Sequence, residues 1–254
     1  MDWKEIFAEW NPWHGCKKIS EGCKHCYVYR QDESYGTEIS SSEVRKTANF
    51  DLPVKRRRDG SYKILSGKMV FTCFTSDFLV EDADEWREAA WGMMRERHDL
   101  MFFFFTKRIT RFAECMPKDW GEGYENVIIG CTVENQAMAD VRLPVFMSLP
   151  IRHRAIIVAP ILERVDLSPW LDGRIEEVSV GGESGVLARV CDYEWILDLR
   201  RQCLEKDVPF RFHQTGAKLL KDGKLYRIRR PFQITQAHKA GIDYRIGEDF
   251  KPVL

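Results

Sequence analysis

Three things are scarce in this sequence of 254 residues: long apolar runs, an excess of one charge, and repetition. No apolar stretch approaches the roughly 20 residues a helix needs to cross a bilayer, so a membrane-embedded role is not expected. The opening MDWKEIFAEW lacks the basic-then-apolar layout of a signal peptide, so a cytoplasmic protein is expected. Lys and Arg number 39 and Asp and Glu 39, so bulk charge points to no polyanionic partner, and any such partner must be read from local patches. Internal repeats and low-complexity tracts are missing too, which excludes solenoids and linkers.

What is present is 44% apolar residues, enough for one substantial core, and a single domain over 1–254 is expected. From residue 68 onward, short apolar runs alternate with amphipathic stretches, the pattern of βα units on a parallel sheet. The strands expected are 68–74, 100–105, 126–132, 154–159, 177–180 and 209–213, with one more near 9–13; the helices are 84–97, 109–116, 136–148 and 193–206. Phe102 to Phe105 lack period-two alternation, as a strand covered on both faces does. Right-handed crossovers would wrap such strands into a partial or complete parallel βα (TIM-like) barrel, with a flat doubly wound sheet as the alternative. Asp59-Gly60 and Asp222-Gly223 mark β-hairpins added outside that pattern, at 54–65 and 219–228, each rich in Lys and Arg.

Eight cysteines without an export signal suggest metal or redox chemistry rather than disulfides. Cys16, Cys23 and Cys26 fall within eleven positions, with Gly15 and Gly22 easing tight turns, whereas Cys73, Cys115, Cys131, Cys191 and Cys203 are scattered and read as packing residues. Three thiolates on one loop suit an iron–sulfur cluster with one iron left open. They equally suit a zinc site completed by His14 or His25, which would make the chain a zinc-stabilised nucleic-acid-binding module.

Polar residues follow the strands in turn: Thr75, Ser76 and Asp77; Thr106, Lys107 and Arg108; Thr132, Glu134 and Asn135; Gly181, Gly182 and Glu183; His213 and Gln214. In parallel βα architectures such positions gather at one face, although Asp77, Glu134 and Glu183 can also serve only to cap helices.

With Asn11-Pro12-Trp13-His14-Gly15-Cys16, Cys23-x2-Cys26-Tyr27, Ser76-Asp77, Thr106-Lys107-Arg108, Gly130 to Asn135 and Gly181-Gly182-Glu183-Ser184 in order, the chain resembles the radical S-adenosylmethionine proteins. Within them it is most similar to a phage and prophage group described by a three-cysteine motif. It departs from the wider superfamily in having six residues between the first two cysteines and His25 where an aromatic is usual. The resemblance implies a 4Fe-4S cluster on Cys16, Cys23 and Cys26, S-adenosylmethionine as cosubstrate, an electron donor, and a deoxyadenosyl radical that modifies a substrate. Lys107 or Arg108 would pair with the methionine carboxylate, Glu134 or Asn135 with the ribose, Asp77 or Glu183 with the amino group, while Gly181 and Gly182 admit the ligand to the backbone. Ser76 and Thr106 would belong to the same cofactor-binding set. The phage association and the basic hairpins together make a nucleic acid or nucleotide one candidate substrate, beside a small metabolite or a peptide. A noncatalytic iron–sulfur protein working with a protein partner is the remaining alternative.

Overall fold

The computed structural model describes residues 3–36 and 41–245, so both ends of the expected 1–254 domain lie outside the described residues. The strands are β1 (Phe7–Trp10), β2 (Trp13–His14), β3 (Arg45–Lys46), β4 (Met69–Thr72), β5 (Met101–Thr106), β6 (Val127–Thr132), β7 (His153–Val158), β8 (Ile175–Gly181), β9 (Cys191–Asp192), β10 (Phe210–Gln214), β11 (Lys218–Lys221) and β12 (Lys224–Arg227). The helices are α1 (Trp3–Ile6), α2 (Tyr27–Tyr35), α3 (Asp84–Glu96), α4 (Phe112–Cys115), α5 (Gln136–Ser148), α6 (Tyr193–Glu205) and α7 (Arg230–Lys239).

Seven strands form one sheet in the order β1-β4-β5-β6-β7-β8-β10. The pairs β1–β4, β4–β5, β7–β8 and β8–β10 are parallel, so the α/β class and the parallel sheet expected from the alternating pattern are present. The order is linear, with β1 and β10 at its two ends.

The chain divides into two units: 1–18, 28–130 and 149–153 in the first, 19–27, 131–148 and 154–254 in the second. The core of the first is aromatic. Phe78 stacks on Phe104 at 4.5 Å and on Trp13 at 5.2 Å, with Trp91 edge-on at 4.8 Å. Within the phenylalanine run Phe102, Phe103 and Phe104 are fully buried, as the lack of alternation predicts, whereas Phe105 is half-buried. In the second unit Val178, Val180, Phe210 and Phe212 fill the β8–β10 layer, and α6 covers it with Ile196 and Leu199.

Two expectations are corrected locally and a third holds. The first strand is Phe7–Trp10 rather than 9–13, because Pro12 has no N–H to give a ladder; Trp13–His14 pairs antiparallel with Arg45–Lys46 instead. The 54–65 hairpin reduces to a turn with a single Arg56–Tyr62 bridge, its guanidinium donating to the Gly60 carbonyl at 2.8 Å. The 219–228 hairpin forms fully as β11–β12, with Asp222 and Gly223 at φ 53° and 69°, the left-handed pair an Asp-Gly turn supplies. It joins β9 in a separate three-stranded sheet.

Candidate functional site

The three clustered cysteines differ from the other five. Cys16, Cys23 and Cys26 are half-buried, whereas Cys73, Cys115, Cys131, Cys191 and Cys203 are buried, and none of the eight is in a disulfide. Burial holds the thiols of Cys73 and Cys115 above their ordinary range and pushes Cys191 and Cys203 up to about 12, which leaves them unreactive packing residues.

In the first unit the loop after β5 fastens the first cysteine. Arg108 Nη2 donates to the Lys17 carbonyl at 2.8 Å, and Nη1 lies 3.6 Å from the Cys16 sulfur. Burial alone would lower this guanidinium's pKa, but Asp77, Cys16 and Glu81 outweigh it and hold the group cationic. Tyr29 donates to the Cys16 carbonyl and Ser76 to that of Gly15, so three side chains hold consecutive backbone carbonyls. Gly15 is required here: φ is +90°, and a Cβ would sit 2.3 Å from the Glu43 carbonyl oxygen.

Asp77 organises that loop. Its Oδ1 accepts from Thr106 Oγ1 at 2.7 Å and the Leu79 N–H at 2.9 Å, its Oδ2 from the Lys107 N–H at 3.0 Å, with Arg108 Nη1 3.4 Å away. Both carboxylate oxygens are thus committed within the protein. Lys107 is the contrast: its ammonium has no hydrogen bond or ion pair among the described residues.

In the second unit a one-turn helix, Glu21–Cys23, carries the middle of the cysteine segment. Fully buried Glu134 accepts the Gly22 N–H at 3.2 Å on Oε1 and Arg142 Nη1 at 2.8 Å on Oε2; Arg142 also donates to the Thr132 carbonyl at 2.7 Å. Arg189 donates to the Glu21 carbonyl at 2.9 Å and is itself held by Glu183 at 2.7 Å. That pairing, working against burial, keeps the Glu183 carboxylate below its ordinary range. Asn135 caps α5, its Oδ1 accepting the Met138 N–H at 3.0 Å.

Gly181 and Gly182 make room for the chain itself. A Cβ on Gly181 would meet the His213 ring at 2.5 Å, and one on Gly182 the Thr215 carbonyl oxygen at 2.5 Å. His213 Nδ1 lies 3.1 Å from Ser179 Oγ, and burial, then the Arg211 and His238 charges, push the imidazole down to about 4.

Sequence reasoning did not identify Arg142, Arg189 or Tyr29, which carry no motif. Nor did it foresee a cavity of about 310 Å³ in the first unit, lined by Glu9, Asn11, His14, Thr47, Asn49, Leu52 and Thr75. His14, a candidate zinc ligand, holds Asp32 through Nε2 at 2.9 Å.

These features lie inside the match to a family described as "Protein of unknown function (DUF5131)", which covers residues 1–243. The chain belongs to this family. No curated protein and no solved structure matches it.

Among the described residues no three His, Cys, Asp or Glu side chains are grouped as a metal site. Three half-buried thiols share one eleven-residue segment, and a guanidinium lies 3.6 Å from the first sulfur, as suits a thiolate ligand. The donor set fits a thiolate-held cluster.

Proposed function

We propose that this protein holds a 4Fe-4S cluster on Cys16, Cys23 and Cys26 and acts as a radical S-adenosylmethionine-type enzyme, its parallel strands forming the partial βα barrel on which that chemistry runs. The observation that carries the reading is how strand ends treat the cysteine segment. Arg108 after β5, Glu134 after β6, and Glu183 after β8 acting through Arg189, all spend their charge on its backbone. A loop that merely connects β2 to α2 needs no such fastening; ligands that must be held in register do.

Cys16, Cys23 and Cys26 would hold the cluster, which, reduced by an external electron donor, would supply one-electron reduction of S-adenosylmethionine, its carbon–sulfur bond parting into methionine and a deoxyadenosyl radical. The chain's own residues bind and orient. Arg108 stabilises the Cys16 thiolate and fixes the carbonyl beside it. Lys107, whose ammonium has no partner among the described residues, is the cation for the methionine carboxylate, since Arg108 is already committed. Glu134 and Glu183 keep the Glu21–Cys23 turn in place and do not touch the ligand in this reading.

The test is anaerobic incubation of cluster-loaded protein with S-adenosylmethionine and dithionite, reading 5′-deoxyadenosine. Deoxyadenosine from the wild type, none from a Cys16→Ala/Cys23→Ala/Cys26→Ala variant, and a raised KM for S-adenosylmethionine in Lys107→Ala are expected. Cluster-loaded protein that forms none contradicts the reading.

A further inference from the structure

The two basic hairpins expected from the sequence differ in what their cations do. In the first, Lys55 pairs with Asp51 at 3.6 Å, while Arg56 donates to Gly60 and Tyr62 and Arg57 to the Lys63 carbonyl, so these three side chains are held by local partners. In the second, the register of β11 with β12 sets Lys218 directly opposite Arg227 and Lys221 directly opposite Lys224. Like charges facing each other across a ladder repel. None of the four has an ion-pair partner among the described residues.

The next element repeats the anomaly. Arg229 and Arg230 begin α7, whose first turn has no acidic residue and no side-chain cap. Cations at a helix N-terminus oppose its dipole, the reverse of the usual arrangement. Two unfavourable charge placements within thirteen residues, in a chain of zero net charge, mark a surface shaped for an anion rather than for stability.

Large rings are exposed in the same stretch, and strand alternation sets Tyr226 on the hairpin face that carries Lys221 and Lys224. All four residues of β12 are exposed, Tyr226 at 40%, and Phe232 in α7 is 50% exposed. Lys224 Nζ lies 5.1 Å from the Tyr226 ring centre. Cations alternating with open aromatic faces suit an extended polyanion whose bases can stack, which duplex DNA does not offer. A bilayer would instead ask for a continuous apolar helix face, and the exposed Thr235, Gln236 and His238 interrupt that of α7.

We infer that β11–β12 and the start of α7 form a binding surface for single-stranded nucleic acid, with the cations on phosphates and Tyr226 and Phe232 on bases. The inference goes beyond the cysteine chemistry and does not depend on it.

The experiment is fluorescence anisotropy of the full chain with a labelled 20-mer oligothymidylate, a duplex of equal length, and sedimentation with 1:1 phosphatidylcholine–phosphatidylserine vesicles. Lys221→Glu/Lys224→Glu should weaken single-strand binding about tenfold or more and flatten the salt dependence by about 0.7 in log–log slope for each phosphate left without its cation. Tyr226→Ala/Phe232→Ala should weaken it about fivefold or more with the slope unchanged. Arg229→Gln/Arg230→Gln should weaken binding while raising the melting temperature, which separates weaker binding from impaired folding. The Cys16→Ala/Cys23→Ala/Cys26→Ala variant should bind as the wild type does, so failure of the cluster reading leaves this result intact. Binding unaffected by the charge or ring substitutions, tighter binding to duplex, or preference for vesicles would each overturn the inference.

Discussion

Arg108 places one guanidinium nitrogen 3.6 Å from the Cys16 sulfur and another 2.8 Å from the Lys17 carbonyl oxygen, so a single side chain fixes both a candidate ligand and the backbone beside it. A cation next to a thiol favours the thiolate, the form that binds metal and reacts with electrophiles. In a Cys23→Ala/Cys26→Ala background, Arg108→Met should slow iodoacetamide alkylation of Cys16 at pH 7 severalfold, and Arg108→Lys should restore part of the rate. Equal rates in all three would show that the guanidinium does not govern the sulfur. Stability should fall by only about 1–2 kcal/mol, because Asp77 keeps its three other hydrogen bonds.

The pair of Glu134 with Arg142 is buried on both sides, at 0% and 4% side-chain exposure. Arg142→Ala leaves a buried carboxylate without its cation and should cost about 3–5 kcal/mol in denaturant unfolding. An Arg142→Ala/Glu134→Ala double variant should recover part of that loss, since no uncompensated charge remains. A double variant as unstable as the sum of the singles would mean the two side chains act independently.

Gly22 tests the fastening from the other side. A Cβ there would lie 2.9 Å from Glu134 Cδ, a side chain held rigid by Arg142, so Gly22→Ala must displace the Glu21–Cys23 turn. About 1–3 kcal/mol of destabilisation is expected, with reduced iron retention after desalting. Unchanged iron retention would separate the turn's position from metal binding.

Acid should destabilise the protein partly through His213. Its folded-state value of about 4 lies below the ordinary 6.5, so the unfolded chain takes up a proton first as pH falls. Stability present above pH 6.5 is therefore lost progressively toward pH 4, by about 3 kcal/mol. Glu183, held low by Arg189, acts in the same direction within the carboxylate range. Denaturant midpoints between pH 7 and 4.5 should fall more steeply for the wild type than for His213→Asn; parallel curves would contradict this assignment.

Much of this was legible in the residues. The change from apolar runs to helical spacing located β4 to β8 and β10, and α5 matches its expected span, because buried parallel strands and amphipathic crossovers are patterns of the chain itself. The Asp222-Gly223 turn was equally readable, since it needs only two residues that accept positive φ. What stayed hidden depends on partners distant in sequence. Glu134 is held by Arg142 and reaches back 112 positions to Gly22, and Glu183 reaches Glu21 only through Arg189. Nothing local distinguishes such carboxylates from helix caps. Asn135, the neighbour of Glu134, is the residue that caps. Helix α7 was missed because Arg229 is a poor N-cap, no acidic residue stands in the first turn, and its buried residues include only Gln233 and Ala237.

The central claim is that Cys16, Cys23 and Cys26 hold iron and sulfide. Its most direct test is the absorption spectrum with iron, sulfide and zinc content of protein purified without oxygen, beside the variant with all three cysteines replaced by alanine. A brown protein with about four irons and four sulfides per chain, both absent from the variant, is the predicted result. A colourless protein carrying one zinc, or iron that persists without the three thiols, would contradict it.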